Sequence, residues 1–212
     1  MIKKQAFYLS IALLASPLVA WADIPPDQPD NPLQQTLLQL PQACPTLASG
    51  LTPQTQALLQ AFYEGQNYQP VWAQEGRLAA LQAALPQLAD DGLDPLNYPL
   101  PEGQDLCADI DTSRQYLQAL HDLHFGRLTQ SRFEPVWHAN AVEVDPQAEL
   151  LAIAGPGVQN VAAAFAQARP ALEQYQDLRR VYARERQQPL CAPACRMRGY
   201  RHWPGVWPAR VT

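Results

Sequence analysis

Apolar residues along this chain recur three and four positions apart in short blocks, and prolines or glycines separate the blocks. Leu33, Leu37, Leu38 and Leu40 form a brief apolar turn before Pro41. Thr52-Pro53 then supplies a capping hydroxyl followed by a proline at the first helical position, Leu58, Leu59 and Phe62 form the stripe behind it, and Gly65 ends the element. Leu78, Leu81, Leu85 and Leu88 predict another helix, bent near Pro86 and closed by Gly92. In the centre, Leu117, Leu120, Leu123 and His124 keep helical spacing. Asp111 or Thr112 is the predicted start, and Gly126 sits where a left-handed helix end forms most easily. Asp145-Pro146 opens a helix through Leu150, Leu151 and Ile153 that ends at Gly155-Pro156-Gly157. An alanine-rich block, Val158 to Ala168, follows, and Pro170 opens a last helix with Leu172, Tyr175, Leu178 and Tyr182 on one stripe. No alternating strand pattern exceeds a few residues. The pattern predicts an all-α, compact multi-helix domain without internal repeats.

Two polar interruptions invite functional readings. Tyr68-Gln69-Pro70-Val71-Trp72 is extended, because Pro70 keeps Gln69 out of helical space. Its rings are read as covers for helix ends, in preference to a carbohydrate-stacking platform. Asp90, Asp91 and Asp94 suggest a calcium loop, but the alternating ligands and the terminal glutamate of an EF-hand are missing, so a helix end followed by an Asp-Pro turn is the adopted account.

Composition refines the boundaries. Hydrophobic residues make up 47% and charged residues 17%, which argues against wholesale disorder despite the 21 prolines. Lys3 and Lys4 precede an apolar run from Ala6 to Ala20, and Ala20-Trp21-Ala22 offers small residues where a signal peptidase reads. Cleavage is expected between Ala22 and Asp23, sending the chain to the periplasm with no stable membrane span. An uncleaved anchor is the competing reading, disfavoured because the apolar run is short of the ~20 residues that cross a bilayer. The layout is thus 1–22 signal peptide, 23–46 proline-rich leader, 47–185 helical domain and 186–212 irregular tail.

Charge separates the body from that tail. Every acidic residue except Glu185 precedes Arg179, whereas eight of the thirteen arginines lie from Arg179 onward. An acidic body disfavours nucleic acid as a partner. The tail concentrates Arg, Cys, Trp and Pro without any period, as an out-of-frame reading of a GC-rich gene would. A frameshift near residues 185–190 is therefore expected.

In an oxidising compartment thiols can pair. Cys44 and Cys107 both lie in polar, proline-rich connections, and a Cys44–Cys107 disulfide is the favoured reading; two unpaired thiols remain the alternative that sequence leaves open.

The order and spacing of several short motifs carry a family resemblance. Phe62-Tyr63, Tyr68-Gln69-Pro70-Val71-Trp72, Asp91-Gly92-Leu93-Asp94-Pro95-Leu96-Asn97-Tyr98, Gly126-Arg127-Leu128 and Pro135-Val136-Trp137 together resemble the non-catalytic scaffold domain of the YcbB-type murein L,D-transpeptidases. The resemblance runs from about Leu47 to about Arg184. It implies Tyr68, Trp72, Tyr98, Arg127 and Trp137 as structural or contact residues. It further implies a domain that braces a transpeptidase catalytic domain and presents it to the wall, with peptidoglycan, that catalytic domain or other cell-wall synthesis proteins as partners.

The chemistry of such a transpeptidase needs a cysteine thiolate, a histidine to take its proton and oxyanion donors. In the family a separate domain with a Ser-His-Gly-Cys motif supplies them, and this sequence contains no such motif. Neither Cys191 nor Cys195 follows a His-Gly pair, and no peptidoglycan-binding module is recognisable. The chain on its own is thus expected to have no catalytic residues, no cofactor and no metal. His121 and His124 lie three apart but lack a third ligand; Cys191, Cys195 and His202 make only a zinc half-site. Glu134 and His138 flank Trp137 without a nucleophile. The alternative to a scaffold fragment is a free-standing periplasmic module that binds peptidoglycan or a partner.

Overall fold

The computed structural model describes residues 31–128 and 145–187. Among these residues there are seven α-helices and no strand: α1 (Pro32–Leu38), α2 (Pro53–Gly65), α3 (Arg77–Ala84), α4 (Leu106–His124), α5 (Pro146–Gly157), α6 (Val161–Ala168) and α7 (Glu173–Gln187). Short 3₁₀ turns at Pro45–Gly50, Leu85–Asp91 and Pro95–Asn97 link them. The expected cleavage site at Ala22 and Asp23, the corner residue Trp137 with Glu134 and His138, and the tail residues Cys191, Cys195 and His202 lie outside the described residues.

Helix α4 is the axis of the body. Twelve of its nineteen residues are buried, and α1, α2, α5, α6 and the Leu85–Asp91 turn all pack on it. It starts earlier than its leucine spacing predicts. Asp105 is the N-cap, accepting from the Ala108 N–H at 2.8 Å, while Asp111 pairs with Arg114 at 2.7 Å and Thr112 is buried. The helix stops at His124, and Gly126 takes φ +81°, a left-handed value that costs a glycine least.

Other starts follow local chemistry. Thr52 Oγ1 caps α2 through the Thr55 N–H, and Asn160 caps α6 through Ala163, so the alanine-rich helix begins at Val161 rather than Val158. Pro86 cannot donate to the α-helical ladder; α3 ends just before it, the chain tightens into the Leu85–Asp91 turn, and Gly92 closes that turn at φ +80°.

Within the stretch 23–46 expected as a leader, the described residues pack on the body. Helix α1 belongs to the body: Asn31 caps it with two backbone bonds, and Leu33, Leu37, Leu40 and Cys44 enter the core, while Leu38 faces outward. Cys44 is bonded to Cys107 with Cα atoms 5.6 Å apart, which fastens the segment after α1 to the first turn of α4.

Aromatic rings fill the middle. Tyr116 of α4 meets Trp72 at 5.3 Å, Phe165 at 6.1 Å and Phe62 at 6.4 Å between centroids, the first two edge to face. Its hydroxyl donates to the Ala154 carbonyl at 3.2 Å. Gly157 lets this packing close: a Cβ there would lie 2.5 Å from both the Tyr116 hydroxyl and the Ala164 methyl.

Candidate functional site

The motifs singled out in the sequence converge on buried carboxylates. The first is Asp109, one turn into α4. It accepts the Val71 N–H at 3.1 Å and the Trp72 N–H at 2.8 Å, together with the Tyr63 hydroxyl at 2.6 Å. One turn on, Ser113 Oγ lies 2.7 Å from the Tyr63 hydroxyl and receives the Trp72 indole N–H at 2.9 Å. The irregular segment around Pro70 has no helix of its own to satisfy its amides, and Asp109 takes up two of them. Burial, followed by the charge and hydrogen bond of Asp109, pushes the Tyr63 phenol well above its ordinary value, against a smaller opposing bond from Ser113. Tyr63 is therefore a neutral donor.

Entry to this segment is turned by Asn67 and Tyr68, both at positive φ (53° and 52°). Two bonds hold that unusual turn: the Tyr68 N–H reaches the Tyr63 carbonyl at 2.8 Å, and its carbonyl accepts from Asn31 Nδ2 at 3.1 Å. Trp72 is buried and its N–H is committed, so its ring offers no stacking face to a sugar.

The second node is Asp122, near the other end of α4. The Tyr98 hydroxyl donates to it at 2.8 Å and Gln118 Nε2 at 2.7 Å, while His121 Nδ1 lies at 3.3 Å and Arg127 Nε at 3.5 Å. Burial alone would raise this carboxyl, but the bonds from His121, Tyr98 and Gln118 outweigh it and hold Asp122 below the usual aspartate value. Tyr98 is raised by burial and by Asp122, with Arg127 opposing. Two residues from distant motifs, Tyr98 and Arg127, thus meet on one carboxylate.

Asp91 is the third. Its side chain is fully buried and receives a bidentate fork from Arg169 (2.9–3.1 Å), Arg179 Nε at 2.6 Å and the Tyr175 hydroxyl at 3.0 Å. Burial, then the charge and hydrogen bond of Asp91, raises Tyr175 to about 12, with both arginines opposing. Beside it Asp90 pairs with Arg186 at 2.9 Å, and Asp94 caps the Pro95–Asn97 turn. These aspartates are anchors and caps.

Chemically, this arrangement holds elements in place. Ser113 is fully buried between two partners, and His121 pairs with Asp122 at 3.3 Å. His124 bridges three helices, from the Ala168 carbonyl to Glu149, both at 3.0 Å. No group of three metal-ligating side chains occurs among the described residues. Sequence reasoning missed Asp109 and Ser113, although they continue the row Tyr116, Leu120 at i, i+4, i+7, i+11 and so pointed into the core.

One cleft, about 230 Å³, opens between α2, α4 and α5. Its floor is Leu58, Leu59, Leu117 and Leu150, and Arg114, Gln118 and His121 stand at its rim.

A family model described as "Scaffold domain" matches residues 57–181, more than half of the chain. The chain belongs to the Scaffold domain family. No curated protein and no solved structure matches it. All three carboxylate nodes of the scaffold domain fall inside the matched residues, as do Tyr68, Trp72, Tyr98 and Arg127. A scaffold role agrees with side chains that are occupied in holding backbone and helices together.

Proposed function

We propose that this chain is the non-catalytic scaffold part of a peptidoglycan L,D-transpeptidase of the YcbB type, exported to the periplasm. Cross-linking of the wall would then pass through a catalytic domain that this sequence lacks. The supporting observation is the convergence on Asp109 and Asp122: Tyr63, Trp72, Tyr98 and Arg127, residues of the motifs that carry the resemblance, all serve as structural partners of α4. Peptidoglycan, the catalytic domain or other wall-synthesis proteins are its partners in this reading.

The test is to sequence the gene from the codon of Pro170 to well past the stop and to assay the purified protein with a tetrapeptide-stem donor. A second frame running into a Ser-His-Gly-Cys segment, with no turnover by the chain alone, is the expected result. Measurable transpeptidation by the chain itself would sink the proposal.

The cleft between α2, α4 and α5 favours a second reading, a free-standing module that holds peptidoglycan. Retention on isolated sacculi that is lost in Leu58→Gln, a change at a half-buried wall of the cleft, with the fold kept by circular dichroism, would select this reading over a pure brace.

A further inference from the structure

A cavity of about 210 Å³ lies between the first two turns of α4 and the segment around Pro70. It has room for roughly seven water-sized volumes of ~30 Å³. Asp105, Asp109 and Thr112 of α4 all line it, at i, i+4 and i+7, so one face of the helix supplies its polar groups. Asp109 and Thr112 are buried at its floor, Asp105 is exposed at its mouth, and Leu78 and Leu106 stand half-buried at its sides.

Two of these groups have bonding capacity left. Asp109 uses Oδ1 for Tyr63 and Val71 but Oδ2 for Trp72 alone, while a carboxylate accepts at about four positions. Thr112 is only 4% exposed, yet its hydroxyl forms no hydrogen bond among the described residues. No fully enclosed side-chain oxygen or nitrogen lacks a partner there, so this hydroxyl reaches the cavity. Asp105 spends one oxygen on the Ala108 N–H and keeps the other.

The cavity also lacks a counter-charge. All three donors to Asp109 are neutral, and no ion pair among the described residues includes Asp105 or Asp109. No basic side chain lines the space; Arg77 reaches the Val71 carbonyl at 3.3 Å instead. The N-terminus of α4 contributes about half a positive charge against two carboxylates, so the site stays negative. Buried charges are ordinarily paired.

We propose that this cavity binds a primary ammonium group on a short alkyl stem. The three N–H donors of an ammonium match Asp109 Oδ2, the Thr112 hydroxyl and the free oxygen of Asp105, and the stem lies against Leu78 and Leu106. For so small a ligand the dissociation constant is on the order of 1 mM.

Titration of the ¹⁵N-labelled full-length protein with n-butylammonium chloride, followed by amide shifts, tests this. The amides of Gln104, Ala108 and Thr112 should move saturably, whereas n-butanol and matched sodium chloride should not move them. Thr112→Val should weaken binding about fivefold by removing one acceptor. Asp105→Asn, which keeps a capping side chain, should weaken it about threefold, the smaller effect because that carboxylate is exposed. The urea midpoint of each variant verifies that the fold is kept. A parallel titration with the capped amino acid acetyl-lysinamide separates the sources: equal binding indicates an amine borne on a peptide, and binding of butylammonium alone a free amine. No saturable shift with either amine up to about 20 mM overturns the proposal. So does equal binding of n-butanol, or wild-type affinity in both folded variants.

Discussion

Helices α4 and α7 are both amphipathic and both engage buried aspartates, but they end in opposite situations. Helix α4 buries leucine, tyrosine and alanine on nearly every side and carries Asp109 and Asp122 inside the body. Helix α7 buries nothing and is attached by charged and phenolic groups to Asp91, an aspartate of another element. Periodicity reports that a helix has an apolar side; it does not report what lies against that side. In α4 Asp109 satisfies backbone amides that apolar packing alone would strand, and Asp122 gathers side-chain donors from neighbouring elements. In α7 the carboxylate replaces apolar packing as the means of attachment.

This contrast can be broken first at Asp109. Asp109→Ala would leave the buried amides of Val71 and Trp72 without acceptors and should destabilise the body by about 4 kcal/mol, read from the midpoint of urea unfolding. Removing the crosslink comes next. Cys107→Ser frees a loop spanning 63 positions and should cost about 3 kcal/mol, a difference that vanishes when wild type and variant are both compared under reducing conditions. At α7 the response should be local. Asp91→Ala should shift the global midpoint by no more than about 1 kcal/mol while amide exchange across Glu173–Gln187 accelerates at least tenfold relative to α4. An equal loss of protection in α4 would erase the distinction.

The smallest effect concerns acidity at Asp122. Its folded value lies below the ordinary 3.8. The stability it contributes is thus complete above the unfolded aspartate value and is lost as pH falls from there through the lower folded value. Asp122→Asn should flatten the acid limb of the stability profile below about pH 4, the ordinary aspartate range. Unchanged curvature in that variant would assign the acid response to other carboxyls.

Much of this architecture was legible in the sequence. Thr52-Pro53, Asp145-Pro146, Gly92 and Gly126 mark the ends of elements because each solves a local backbone problem, and local problems are visible in local sequence. The start of α4 was not legible in that way: Asp105 caps it through a polar stretch that reads as a connection, and only packing on α1 and the Cys44 bond gives that first turn a reason to form. Among the candidate residues, Tyr98 and Arg127 could be picked out, but their shared partner Asp122 could not, because a buried aspartate has the same letter as a solvated one. The exposure of Leu178 and Tyr182 was invisible for the related reason that a stripe fits an absent neighbour as well as a present one.

Because Asp109 and Asp122 sit on a single helix, α4 acts as a ruler between the two nodes. Each residue advances an α-helix by about 1.5 Å and turns it by about 100°. Deleting or inserting one residue between them would swing the far carboxylate away from Tyr98 and Arg127 while Asp109 stayed with Trp72, or the reverse. Helix α4 can therefore accept replacements on its outer positions far more readily than any change in its length.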